Sequence, residues 1–391
     1  MDDLHFDTLY QHIGEEHKPH GAVVPPIFQN SLFVFPSCKE FVSVVSGSND
    51  VELEGSGHAY SRISNPTVDV VLKKLALLEG TEDALVFGSG MGAISAAILS
   101  CVQQGSHIVC LDTCYGPTRN FIESYLPKFG VSVTFVDGLS PESVLDAIKP
   151  ETTLVYLESP SSIIFRIQDL EAISSQCRAK GIPTIIDNSY SSPVFQQPAK
   201  FGIDMVVHSA TKYLCGHSDV VAGAFMGSKE RTKKIIDNEL QFLGAILPPL
   251  PAWLMLRGLR TLKLRVPHHG RTAHEIATWL RDNNEVEEVF HVGFAEGRQR
   301  ELFEKQMSGT GGLVTFQPKN QDPAYIERLI DGLKLFQLGV SWGGFESLGV
   351  PIHMKAMGWS EHRYLVRLYC GLEDPRDMKA DLERAFNVAR G

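Results

Sequence analysis

Between Glu82 and Met226 short apolar runs alternate with segments whose apolar residues recur at helical spacing. The runs are Ala84–Phe87, His107–Leu111, Val131–Val136, Thr153–Leu157, Pro183–Asp187 and Met205–His208. Near-continuous apolar character over so few residues reads as strands buried on both faces. The segments between them, Gly92–Val102, Pro117–Phe129, Pro141–Ile148 and Asp169–Lys180, read as helices. Strands alternating with helices predict a mostly parallel central sheet covered by helices on both faces, an α/β unit placed at residues 56–250.

The flanks differ in texture. Residues 1–55 mix Pro25-Pro26, Pro36 and a polar Ser46-Gly47-Ser48-Asn49-Asp50 stretch. They predict an extended arm with little core of its own, suited to contacts with a neighbouring subunit. After Leu250 come a long helical stretch Trp253–Asn283, a strand at Leu313–Phe316 and a helix Asp322–Leu333. A last helix opens with Asp374 as N-cap and Pro375 at its first position. These predict a smaller α+β domain over residues 251–391.

Composition narrows the function classes. The chain of 391 residues is 43% apolar and 21% charged, the balance of a globular protein. Its net charge of −10 argues against nucleic-acid binding, which needs a basic face. Seven cysteines, an odd number with no C-x-x-C spacing, argue against a disulfide framework or a zinc site and point to a reducing compartment. The acidic start Met1-Asp2-Asp3-Leu4 lacks the apolar centre of a signal peptide, and no run approaches 18 apolar residues. The expectation is a cytoplasmic protein with no membrane partner. His208, His217, His268 and His269 have no metal-ligand spacing and read as structural, so no metal is expected.

Three segments carry chemistry. Phe87-Gly88-Ser89-Gly90-Met91-Gly92-Ala93 closes a strand and opens a helix. Amides at a helix N-terminus bind phosphate. The same segment also fits a G-x-G-x-x-A dinucleotide fingerprint, with Asp112 as the following acid. A glycine turn that only permits tight packing is the plain alternative. Lys212, in His208-Ser209-Ala210-Thr211-Lys212-Tyr213, is either a surface lysine past a strand end or an amine in a polar pocket. In the second case it must shed its ammonium proton to act, and Ser209 and Thr211 can donate to one anion. Asp187 ends the run Ile185-Ile186-Asp187-Asn188, at the strand edge where open α/β sheets bind ligands. It either starts a turn or meets a cation.

Pyridoxal phosphate needs an anion cradle, a lysine for its covalent link and an acid for its ring nitrogen. All three occur in that order, and Tyr115 follows a strand end as an aromatic face. A nicotinamide dehydrogenase would use the glycines and Asp112 but leave Lys212, Asp187 and Tyr115 without roles. A catalytically silent scaffold would need neither Lys212 nor Asp187.

With these residues in place, the chain resembles the pyridoxal-phosphate enzymes of cysteine and methionine metabolism. That group holds the cystathionine lyases, cystathionine γ-synthase and methionine γ-lyase. The resemblance rests on Gly21-Ala22-Val23-Val24-Pro25-Pro26-Ile27, Tyr60-Ser61-Arg62-Ile63-Ser64-Asn65-Pro66-Thr67, Ser89-Gly90-Met91, Asp187-Asn188, Ser209-Ala210-Thr211-Lys212-Tyr213 and Gly371-Leu372-Glu373-Asp374. It runs nearly end to end. It implies the type I aminotransferase-like fold. It implies that Lys212 carries the cofactor and shuttles protons, that Asp187 pairs with the ring nitrogen, and that Tyr115 stacks on the ring. Ser89, Gly90, Met91, Ser209 and Thr211 would surround the phosphate. Tyr60 and Arg62 would reach the cofactor of a neighbouring subunit, which implies a homotetramer built as a dimer of dimers, and Tyr60 would also meet the substrate. Ser341 and Arg367 match positions that bind an amino-acid substrate's carboxylate, where a planar guanidinium suits the task. Arg367 in its apolar strand also fits a simple ion pair, and Trp342 fits either pocket wall or core.

Within the group, Ser341-Trp342-Gly343-Gly344-Phe345-Glu346-Ser347-Leu348, Tyr115-Gly116-Pro117-Thr118-Arg119 and Gly216-His217-Ser218-Asp219 resemble bacterial cystathionine β-lyase. Pro117 stands where methionine γ-lyases usually place Cys, and Val340 where many γ-lyases place Glu. Glu158-Ser159-Pro160-Ser161-Ser162-Ile163 departs from the Asn-Pro of most γ-type members, and Tyr369-Cys370 from the commoner Ser-Val, whereas Tyr60-Ser61-Arg62 is more typical of γ-type members. The resemblance implies β-elimination of L-cystathionine to homocysteine, pyruvate and ammonia. A γ-lyase, a γ-replacement enzyme and a specialised C–S lyase are the alternatives.

Overall fold

The structure, a computed structural model, describes residues 4–47 and 57–391; Ser48–Asp50 of the polar stretch and the five residues of the arm that follow lie outside them. Among the described residues seven strands form one sheet: β1 (Asp83–Phe87), β2 (His107–Leu111), β3 (Ser132–Val136), β4 (Thr152–Glu158), β5 (Thr184–Asp187), β6 (Met205–His208) and β7 (Gly223–Gly227). Their spatial order is β1-β7-β6-β5-β4-β2-β3. β6, β5, β4, β2 and β3 pair in parallel, and β7 is antiparallel to both its neighbours. β2 and β5 are buried at every position, as both-face coverage requires. The mostly parallel α/β reading holds.

A second, five-stranded sheet follows: β8 (Val286–Phe290), β9 (Leu313–Pro318), β10 (Gln337–Leu338), β11 (Leu348–Met354) and β12 (Arg363–Tyr369), in the order β10-β11-β12-β9-β8. One face packs Phe316, Val366 and Leu368 against Ile276, Leu280, Leu382 and Phe386. The last of the helices behind it, Pro375–Arg390, begins as expected, with the Asp374 side chain accepting the Arg376 N–H.

Three expectations change. The amino-terminal arm contains helices Phe6–His12 and Cys38–Ser46. The first is docked rather than free. Tyr10 is buried and donates its hydroxyl to the Leu259 carbonyl, and Lys74 Nζ reaches the Tyr10 and Gln11 carbonyls at 2.9 and 3.0 Å. Trp253–Asn283 is two helices, Pro249–Arg260 and Leu262–Arg281, because Thr261 leaves helical geometry and its carbonyl restarts the ladder by accepting from Leu264 and Arg265. Pro117–Phe129 holds an α-helix only at Gly116–Asn120. It then widens into a π turn at Phe121–Tyr125 and tightens into a 3₁₀ turn at Leu126–Phe129. Pro127 has no N–H to continue the α-helical ladder.

Candidate active site

β4, β5 and β6 point their carboxyl ends at one cavity of about 620 Å³. This is the edge at which parallel α/β sheets accept ligands. Its opposite wall comes from the second sheet and the loop between β10 and β11, through Val350, Ile352, Arg367, Ser341 and Trp342. Lys212, Asp187, Tyr115, Ser209, Ser341, Trp342 and Arg367, all singled out in the sequence, line it together.

Lys212 stands in the turns after β6 and donates from Nζ to Ser341 Oγ at 2.6 Å. Its amine lies 5.5 Å from the centre of the Trp342 ring. Burial and the Arg367 charge hold its pKa down at about 8, against the pull of Asp187. Ser341 takes φ 96°, a conformation L-residues rarely adopt. The bend aims its hydroxyl at Lys212 while its carbonyl accepts from Arg367 Nη2 at 3.3 Å. The loop can press this closely because Gly343, at φ 95°, has no side chain: a Cβ there would sit 2.7–2.8 Å from Lys212 and Tyr213 backbone atoms. Burial lowers the Arg367 pKa to about 10. Trp342 packs edge-on against Tyr213 at 5.2 Å and walls the cavity at the same time.

Asp187 is buried at the end of β5, and Ser189 N–H donates to its Oδ1 at 2.9 Å. Burial raises its pKa, and Lys212 acts in the opposite sense. Tyr115 is 42% exposed, with a pKa raised by burial and by the nearby Asp187. The glycine segment behaves as a helix start. Ser89 caps helix Gly90–Leu99 by accepting the Gly92 N–H, leaving the first-turn amides of Gly90 and Met91 outside the helical ladder. Gly90 abuts Ser209, where an added Cβ would lie 2.9 Å from Ser209 Cβ and Oγ. Helix start and Lys212 segment therefore meet in one concave place. The Met91 sulfur accepts from Thr118 at 3.9 Å, and the Thr211 hydroxyl is bonded to the Ala222 backbone at 3.0 and 3.2 Å.

Tyr60 and Arg62 do not line this cavity. Tyr60 is 46% exposed, the Arg62 guanidinium stands 5.1 Å from its ring centre, and Arg62 borders a separate small recess of about 30 Å³. Asp112, the dehydrogenase candidate, is engaged: Oδ2 accepts the Met357 N–H at 2.6 Å and Oδ1 faces Arg166 at 3.4 Å. His208 is 2.5 Å from Glu79 and His269 faces the Cys370 and Gly371 carbonyls at 3.1 Å. No cluster of His, Cys, Asp and Glu able to hold a metal occurs among the described residues. The sequence reading passed over Glu158 as a site residue. It lines the cavity at the end of β4, and its signal is the one used for Asp187, an acid closing an apolar run.

The model of the Cys/Met metabolism PLP-dependent enzymes matches residues 7–387. An L-methionine gamma-lyase of Treponema denticola is 37% identical, over 99% of this chain and 98% of that protein. An L-alanine/L-glutamate racemase of Wolbachia pipientis wMel is 32% identical, over 94% and 93%. The crystal structure of metB from Corynebacterium glutamicum superposes with a TM-score of 0.88 at 32% identity, over 99% and 98%. Likeness at this level, spanning fold and sequence nearly end to end, makes the chain a member of the Cys/Met metabolism family of pyridoxal-phosphate-dependent enzymes.

Proposed function

We propose that the protein is a C–S lyase that eliminates the β-thiolate of an L-cysteine thioether, with L-cystathionine as substrate. The observation that carries this reading is the 2.6 Å contact of Lys212 Nζ with Ser341 Oγ inside a cavity that also holds Arg367 and Asp187. The residues present fit the cofactor. The Gly90–Ser209 cradle, with two free first-turn amides, suits its phosphate, and a buried acid at the end of β5 suits a protonated ring nitrogen.

Pyridoxal phosphate, when bound, supplies an electron sink conjugated to the substrate's α-carbon. Arg367 and Ser341 hold the substrate carboxylate. Lys212 would take the substrate's α-proton; its low pKa leaves a usable fraction as free amine at neutral pH. Lys212 or Tyr115 then protonates the departing sulfur, and Tyr115 retains its proton for that step because its pKa is raised. Beyond these groups Ile163, Leu338, Val340 and Ile352 make an apolar wall suited to a thioether chain. Tyr60 and Arg62, exposed and outside the cavity, are assigned to the site of a second subunit, and the assembly is a tetramer of paired dimers in the cytoplasm.

A second reading, γ-elimination, is favoured by the methionine gamma-lyase relative. Incubation of purified protein with pyridoxal phosphate and L-cystathionine, followed by identification of the keto acid, separates the two. Pyruvate is expected. 2-Oxobutyrate moves the protein to γ-elimination, and no keto acid with bound cofactor overturns the substrate assignment.

A further inference from the structure

Glu158, the last residue of β4, stands directly beside Asp187, the last residue of β5, and both line the cavity. The roles assigned above leave Glu158 without a task. Its two carboxyl oxygens are engaged in different directions. Oε2 accepts the Tyr115 backbone N–H at 2.7 Å, and Oε1 lies 2.5 Å from Ser162 Oγ. Both partners belong to turns that carry backbone bonds of their own, Arg119 N–H to the Tyr115 carbonyl at 3.0 Å and Ile164 N–H to the Ser162 carbonyl at 2.8 Å, and Glu158 ties one turn to the other. Tyr115 precedes the helix Gly116–Asn120 but makes no side-chain cap, and open space surrounds the place a Cβ would occupy on Gly116. Ser162 leads into Ile163 at φ 70° and, two residues on, Phe165 at φ 54°, a turn that β-branched and bulky residues adopt only when held.

We propose that Glu158 is a positioning residue which, as a neutral carboxylic acid, clamps the Tyr115 backbone and the Ser162 turn and so fixes the Tyr115 ring over the cofactor. This rests on the cofactor site as assigned above. Neutrality follows from placement, since two buried carboxyls side by side do not both ionise at neutral pH. Burial and Asp187 push Glu158 up to about 8. Asp187 holds the negative charge of the pair, with the Ser189 N–H and Lys212 acting on it. The other titratable groups facing Glu158 are Tyr156 on its own strand and Cys114 and Tyr115 on the segment after β2, each raised in pKa and so protonated.

The test is a double-mutant cycle read as the dissociation constant of pyridoxal phosphate from the apoprotein at pH 7. Glu158→Ala and Tyr115→Ala are each expected to weaken binding about tenfold, and the double variant no further than the weaker single one, because the same ordering is lost once. Glu158→Gln offers the same acceptor to Tyr115 and a donor to Ser162, and is expected to bind within about threefold of the unaltered protein. Unchanged binding by Glu158→Ala, or additive losses in the double variant, overturns the positioning role. A Gln variant as weak as the Ala variant overturns the neutral acid. Tyr115→Ala binding at full strength overturns the underlying assignment of the ring.

Discussion

Lys212 shares a buried cavity with a second cation, Arg367, and a single amine there feels both burial and repulsion. Both disfavour the ammonium form, so the neutral amine predominates above about pH 8 rather than above the usual lysine range near 10.4. The rate at which the apoprotein captures pyridoxal phosphate through Lys212 should therefore rise through about pH 8 and level off above it. Arg367→Met removes the repelling charge, favours the ammonium, and should move that midpoint upward by about one unit. A midpoint near 10 in the unaltered protein, or one indifferent to Arg367, contradicts this account. Lys212, Asp187 and Tyr115 were legible because each follows an apolar run that had to be a strand, and ligands gather at strand ends. Ser341's conformation was not legible, since nothing in a sequence marks a serine held at φ 96°.

Helix Gly90–Leu99 shows how two neighbouring positions do separate jobs. Ser89 serves the helix through its bond to the Gly92 N–H at 3.0 Å, so Ser89→Ala should cost about 1 kcal/mol in chemical denaturation of the apoprotein. Gly90 serves the cradle. Gly90→Ala adds a good helix former, yet its Cβ meets Ser209 at 2.9 Å, so it should weaken cofactor binding about tenfold or more with a smaller change in the denaturation midpoint. Equal losses in both measurements for both variants would remove the distinction. Strands β1–β6 were legible from apolar runs with turn residues between them. The break at Thr261 was not, because threonine fits a helical pattern and the turn there is decided by packing: Gly258 lies against the Leu214 and Cys215 carbonyls, where a Cβ would stand 2.1–2.6 Å away. The break at Pro127 was visible in the chain and was outweighed by the apolar spacing around it.

At the scale of the whole molecule, Tyr60 and Arg62 stand exposed and outside this chain's own cavity. Val23, Val34, Phe41 and Val42 are also 78, 87, 47 and 54% exposed. Val23 lies in one of the motifs that carry the resemblance to the family, and all four add little to this chain's own core. If Arg62 completes a neighbour's site, two inactive variants, Arg62→Ala and Lys212→Ala, refolded together should recover about a quarter of full activity, since half the dimers are mixed and each mixed dimer holds one intact site. No recovery would place Arg62 within its own subunit's chemistry. Assembly was read only from resemblance, because one chain's apolar pattern does not say which exposed positions a second copy covers.

The cavity has two walls of different origin. Lys212 and Asp187 come from the first sheet and the segment after it, and Arg367 comes from the second. The helix pair Pro249–Arg281 lies in the stretch of chain that connects them. On the roles proposed above, the groups that move protons and the guanidinium that grips the substrate thus sit in separate blocks of the chain. Under the proposed function, a recombination in that pair would exchange Arg367, Leu338, Val340 and Ile352 while keeping Lys212, Asp187 and Ile163, which gives such a scaffold a short route to altered substrates without rebuilding its chemistry.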